Sequence, residues 1–405
     1  MLLWLFLLIL GTGKVLYEKN ARDKRYPAST TKIMTAILAL EHRSLTDTAT
    51  VSYDAIFTVP SGYSHANLQL DEVLTMEQLL NVLLIPSAND AANVIAEDIA
   101  GSVESFASMM NTKAKEIGCE NTNFVNPNGV HDENHYSTAY DLALIGRYAM
   151  KNDTFRRLVS TVRYTLPTTN KYDKENRVFV NTNRLVNEKS GQYYKYSTGI
   201  KTGYTDAAGN CIVSSAKKDN MELICVIMGA GNDLTTDINK FDDCISLFNY
   251  GFGNYSYETL CKANDVFKVV SPRNASKDTK SLNVLYETDI DALVDTNTVS
   301  TDLSPEVHLD DNLKAPITRG SVVGSVSYTI DGINYTTNLI AGQDILANST
   351  FSIIIKVVIV LFALYIFKRF FNRNNGRKKR SKGKRKKNSK STRYSGSSYY
   401  RFGYN

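Results

Sequence analysis

Ser29 and Lys32 stand three residues apart in the run Pro27-Ala28-Ser29-Thr30-Thr31-Lys32. A serine hydroxyl is a weak nucleophile until a nearby base takes its proton. A lysine amine serves as that base only when burial or a second cation lowers its pKa. Ile33, Met34, Ile37, Leu38 and Leu40 follow at helical spacing, so Ser29 falls at or near a helix N-terminus. Residues i and i+3 share a helix face, which brings the Lys32 amine within reach of the Ser29 hydroxyl. Ser-x-x-Lys occurs by chance in many chains. An ordinary capped helix with a surface lysine fits it as well, so the rest of the chain has to supply the second cation and a substrate site.

Two further short motifs follow in order, Ser87-Ala88-Asn89 and Lys201-Thr202-Gly203. Lys201 is the second cation able to depress Lys32. Ser87 can relay a proton between Lys32 and a leaving amine. Asn89 offers an amide to hold a peptide backbone or to orient Lys32. Lys201 and Thr202 can bind a substrate carboxylate. Gly203 lets an extended peptide approach a strand edge closely. The main-chain N–H groups of Ser29 and Tyr204 are the expected oxyanion donors. The order of the three motifs, on a helix start, an interhelix loop and a strand, is far more specific than any one of them.

The elements that must hold these residues read as follows. Thr75 to Gln78 resembles a capping box opening an apolar helix from Leu79 to Ile85, which Pro86 ends. Helices are expected from about Asp90 to Ala100 and from Ser102 to Ile117, with another after Thr138 and Asp141. Strands are expected over Ser197 to Tyr204, Gly209 to Ala216 and Glu222 to Met228, the last two as a hairpin turning through Lys217 to Asn220. Asp237 to Tyr250 returns to helical spacing. Helices around an antiparallel sheet make an α+β catalytic domain over residues 12–255. Short alternating runs then suggest a small β-domain over 256–345.

The 405 residues carry a formal net charge of +6, but the sign is divided along the chain. From Lys368 to the end there are 15 Lys/Arg and no acid; residues 1–367 hold 32 bases and 41 acids, a net of −9. An acidic body with a basic tail argues against a globular nucleic-acid binder. Met1 to Leu10 is too short an apolar block to span a bilayer; it suits the core of a signal peptide, or else a first core strand. Residues 350–371 are apolar apart from Lys356, Lys368 and Arg369, and are expected to form a transmembrane helix with Lys356 snorkelling. The basic stretch 372–405 would then be a disordered cytoplasmic tail near anionic lipids, leaving the preceding domains outside. The five cysteines show no Cys-x-x-Cys spacing, and their odd number leaves at least one without an intrachain partner. The His131 and His135 pair follows Pro127 and Gly129, which mark a loop, without the acid placement of a zinc protease, and no metal or cofactor is expected.

The three motifs, together with Thr12 to Ala21, Tyr26 to Met34, Asp90-Ala91-Ala92, Phe124 to Gly129 and Tyr140 to Ala143, resemble the low-molecular-mass penicillin-binding proteins. These are the serine-type D-alanyl-D-alanine carboxypeptidases of peptidase family S11. The resemblance runs from about Thr12 to Asp344, with Ile317 to Ile340 similar to the family's C-terminal β-domain. It implies a β-lactamase/transpeptidase-like catalytic fold and a bacterial cell-membrane enzyme with its catalytic domain outside. It also implies a peptidoglycan pentapeptide substrate and β-lactams as acylating inhibitors. By residue, it implies Ser29 as acyl-ester nucleophile, Lys32 as proton acceptor, Ser87 as third active-site residue and Lys201 as substrate-binding lysine. A D,D-endopeptidase acting on cross-links shares these motifs, and a membrane-tethered wall binder retaining the fold is a non-enzymatic alternative. A class A β-lactamase fits less well, because no Glu-x-x-Leu-Asn run lies between Asn89 and Lys201 and Ser-Ala-Asn stands where Ser-Asp-Asn is usual.

Overall fold

The computed structural model describes residues 3–174, 176–231, 239–296 and 303–381. The chain divides into one unit of Met1–Glu258 with Asp291–Leu303, and a second of Thr259–Ile290 with Ser304–Asn405.

The first unit begins with strands β1 (Trp4–Ile9) and β2 (Val15–Lys19). A 3-10 turn, Ala28–Thr31, leads into α1 (Lys32–His42). The helical part continues through β3 (Thr48–Thr50), α2 (Tyr53–Phe57), β4 (Val73–Thr75), α3 (Met76–Leu84) and α4 (Asn89–Ala100). Then come α5 (Val103–Ile117), α6 (Ala139–Ala149) and α7 (Asp153–Ser160), followed by a small hairpin of β5 (Arg163–Leu166) and β6 (Arg177–Val180). Strands β7 (Ser197–Thr205), β8 (Gly209–Lys218) and β9 (Met221–Met228) and helix α8 (Asn239–Asn254) complete the unit's main body. Side chains close the helix starts: Thr75 and Gln78 form a reciprocal capping box on α3, and Ser102 and Thr138 cap α5 and α6.

The central sheet has the order β2-β1-β9-β8-β7, so β7 lies at its edge. Phe6 pairs with Val226, Cys225 with Ser214, and Lys201 with Val213, all antiparallel. Alternate residues enter two different cores. Phe6, Leu8, Val213, Ile224 and Val226 join the helical core with Ile33, Leu80 and Ile95. Leu7, Ile9, Ile212, Leu223, Cys225 and Ile227 join a second core built with Phe241, Cys244 and Phe248 of α8.

This two-sided burial corrects the reading of residues 1–11 as a signal-like segment. Trp4–Ile9 is a strand of the sheet, and a strand covered on both faces reads as a continuous apolar run. The expected turn through Lys217 and Lys218 also moves. Both lysines extend β8, with Lys217 opposite Glu222, and the turn is Asp219-Asn220.

The second unit follows β10 (Tyr255–Cys261) and contains β11 (Val266–Val270) and β12 (Leu282–Tyr286). After β13 (Ile290–Asp295) come β14 (Glu306–Leu309), β15 (Val322–Ile330), β16 (Ile333–Ala341) and helix α9 (Ser349–Ser381). Its sheet order is β11-β12-β16-β15-β14. The architecture is therefore an α+β catalytic unit with a C-terminal β-domain. The expected spanning segment is not borne out: among the described residues no helix is long and apolar enough to cross a membrane. Lys356 and Lys368 leave eleven residues between them. That run is about 16 Å of helix against a hydrocarbon thickness of about 30 Å. The tail from residue 382 lies outside the described residues.

Candidate active site

Ser29 sits in the 3-10 turn immediately before α1, so the i, i+3 relation to Lys32 runs across the junction of two helix types. Lys32 Nζ lies 2.9 Å from Ser29 Oγ. The amine also donates to Asn89 Oδ1 at 2.8 Å and to the Asn128 carbonyl at 2.6 Å. The Asn89 amide is oriented by its own second bond, because Asn89 Nδ2 donates to the Ser64 carbonyl at 2.7 Å and so turns Oδ1 toward Lys32. A neutral amine has two N–H groups and one lone pair. Two neighbours here can only accept, and the third, a hydroxyl, can donate. Lys32 is wholly buried. Its pKa is held well below the usual lysine value, first by burial and then by the Lys201 cation, with Asp90 opposing.

The turn carrying Ser29 is gripped from several sides. Ala28 has φ 48° and Ser87 φ 71°, conformations that side-chain-bearing residues rarely adopt. A Cβ at Gly203 would stand 2.8 Å from the Ser29 nitrogen, and one at Gly129 would stand 1.9 Å from the Ala28 carbonyl oxygen. Both glycines are thus required by close backbone approach. Behind the turn, His135 is buried and its imidazole is pushed down to about 4, chiefly by burial. Its Nδ1 accepts from the Val125 N–H, so Nε2 carries the proton and donates to Thr31 Oγ1 at 2.8 Å. The histidine that resembled half a metal pair is a brace for the turn that carries Ser29.

Ser29, Ser87, Asn89, Thr202, Gly203 and Tyr204 line one cleft of about 820 Å³. Ser87 faces it from the loop between α3 and α4, but among the described residues its hydroxyl bonds to neither Ser29 nor Lys32. Thr202 Oγ1 donates to Thr182 Oγ1 at 2.6 Å, and Tyr204 Oη donates to Asp206 at 2.9 Å. Lys201 differs from its expected place. It is 1% exposed, donates to the Thr202 carbonyl at 3.0 Å, and is not among the residues lining the cleft. Burial and Lys240 push its amine down to about 7. The cations facing the cleft are Arg184 and Lys240, which no motif had flagged. Lys240 also donates to Asn210 Oδ1 at 3.0 Å. It follows a long stretch without motif residues, and only its place at the start of a helix with apolar Phe241, Leu247 and Phe248 hinted that it was fixed.

A serine hydroxyl held against a buried amine, in a cleft lined by residues of a sheet's edge strand, has the form of a serine hydrolase site. The sequence comparisons place it further. Residues 6–232 match the peptidase S11 model described as D-alanyl-D-alanine carboxypeptidase, and residues 255–347 match the C-terminal domain of penicillin-binding protein 5. The chain belongs to the peptidase S11 family. It is 32% identical over 354 residues to D-alanyl-D-alanine carboxypeptidase DacF of Bacillus subtilis, covering 85% of this chain and 86% of that one. It is 30% identical over 330 residues to DacC of Escherichia coli, covering 80% and 78%. Among solved structures it resembles penicillin binding protein 5 from Haemophilus influenzae, with a TM-score of 0.62 at 27% identity, covering 85% of this chain and 97% of that one.

Proposed function

We propose that the protein is a D,D-carboxypeptidase that removes the terminal D-alanine from peptidoglycan pentapeptide stems through an acyl-enzyme on Ser29. The three contacts of the Lys32 amine carry this reading. Two acceptors occupy its N–H groups and leave the lone pair for the Ser29 proton. Ser29 Oγ attacks the carbonyl of the penultimate D-alanine as Lys32 takes the proton. The N–H groups of Ser29 and Tyr204 hold the oxyanion. Ser87 passes the proton to the leaving amine, free D-alanine departs, and water then releases the shortened peptide. The substrate lies as an added strand along β7. Lys201 acts from beside the cleft by depressing Lys32, while Thr202 with Lys240 or Arg184 receives the terminal carboxylate.

The test is incubation of the purified chain with pentapeptide and with its C-terminal amide. Release of D-alanine from the free acid, a labelled-penicillin adduct on Ser29, and selective loss of the free-acid preference in Lys240→Ala support the reading. An adduct on another residue overturns it.

Membrane attachment rests on α9, whose side chains from Ile353 to Phe371 are exposed, followed by the basic run to Lys390. The full chain should sediment with membranes. A chain ending at Asn348 should stay in solution and acylate with penicillin unchanged.

A further inference from the structure

We propose that Cys225 and Cys244 join in an intrachain disulfide that pins α8 to the central strand β9. The two Sγ atoms lie 3.4 Å apart, and both side chains are fully buried in the second core. Cys225 belongs to the face of β9, with Leu223 and Ile227, that packs on α8; Cys244 lies on α8 between Phe241 and Phe248. Sulfurs in contact on two packed elements need close by only about 1.4 Å to reach the bond length of about 2.0 Å. The remaining cysteines are placed differently. Cys119 and Cys211 turn their sulfurs toward the carbonyls of Asp141 and Tyr26, at 3.7 and 3.8 Å.

The oxidant is a disulfide donor, either a small disulfide such as oxidised glutathione or a donor protein. One cysteine thiolate attacks a donor sulfur, forms a mixed disulfide and releases one donor thiol. The second thiolate attacks the protein sulfur of that bond and releases the other. Two electrons pass to the donor, and the two protons lost by the cysteines go to the departing thiolates. Burial raises the Cys244 thiol, so attack is slow once the core has closed, and the bond forms while the chain folds. Lys240 lies one helical turn before Cys244 and faces the cleft, so the bond fixes the helix that presents it.

The experiment refolds the full chain in a glutathione redox buffer, denatures it without reductant, and alkylates the thiols. Of the five cysteines, three should label, with the intact chain lighter by two hydrogens and a tryptic pair linking Cys225 to Cys244. Five should label after reduction, and the thermal midpoint should fall. Five labels without reduction, linkage of a different pair, or a midpoint indifferent to reduction would overturn the proposal. The wild-type peptide map decides the matter even if Cys225→Ser fails to fold. The count does not depend on the carboxypeptidase reading, which penicillin acylation of the same sample checks separately.

Discussion

The cleft of the first unit and the β-domain of the second treat the same physical rules in opposite ways. Among the described residues, nine non-glycine positions have positive φ. Asn264, Asn274 and Asp331 are those of the second unit, and Asn and Asp tolerate that region. Ala28 and Ser87 alone are neither Asn nor Asp, and both adjoin the nucleophile or face it. Burial divides the same way. The first unit hides Lys32, Lys201 and Lys240, whereas the buried polar group of the second unit is Thr337. Buried cations and strained non-glycine backbone each cost free energy, on the order of 1–3 kcal/mol for the backbone alone. Their concentration in and beside one cleft marks where the fold carries cost for chemistry.

The strongest way to break this contrast is Ser29→Ala. It should abolish penicillin acylation and lower D-alanine release by at least about 10⁴-fold, with the thermal midpoint little changed. Labelled penicillin and a melt measure both. Ser87→Gly relieves the strain at φ 71° but removes the hydroxyl. Acylation should drop by about 10²- to 10³-fold while stability holds or rises slightly. Gly203→Ala puts a methyl 2.8 Å from the Ser29 nitrogen, and should cost about 10²-fold in acylation by displacing the turn.

A pH series sharpens the energetic side. Lys201 titrates near 7 in the folded protein, below its unfolded value of about 10.4. Between those values the unfolded chain binds the extra proton, so this group's penalty is full below about 7 and fades as pH rises toward 10.4. Lys201→Met should therefore be favoured relative to wild type at pH 7. That advantage should shrink by up to about 1.4 kcal/mol per pH unit above it, as followed by denaturant melts. The smallest effect belongs to the β-domain. Asn264→Gly, at φ 69°, should shift stability by under about 0.5 kcal/mol and leave acylation untouched.

What the sequence discloses follows from what kind of atom does the work. Ser29, Lys32 and Asn89 act through side chains at short spacing from recognisable helix starts, and they were legible. The Asn128 carbonyl that accepts from Lys32 is backbone, which any residue type supplies, so its segment, Phe124 to Gly129, was singled out by resemblance but its role was not. Lys240 reaches the cleft only because α8 packs on the far face of the sheet, a tertiary fact without a local signature. Lys201 was recognised by type but misplaced in depth. Strand alternation sets it on the face of β7 shared with Gly203, opposite Val213, where packing buries the amine beside the cleft rather than in its lining. Trp4–Ile9 stayed open between a signal core and a first core strand for the opposite reason, since near-uniform burial erased the period-two pattern on which strand recognition depends.

Gly129 and Gly203 enclose the nucleophile's turn from two sides with backbone and no side chain. For an acylating drug this has an evolutionary consequence. At these two positions mutation cannot add a side chain without displacing the turn that carries Ser29. Resistance by substitution would therefore arise at lining positions that carry side chains, such as Ser61, Tyr63, Ser64, Asn181, Thr182 and Arg184. An inhibitor whose contacts centre on Gly203 would rest on the lining position least free to change.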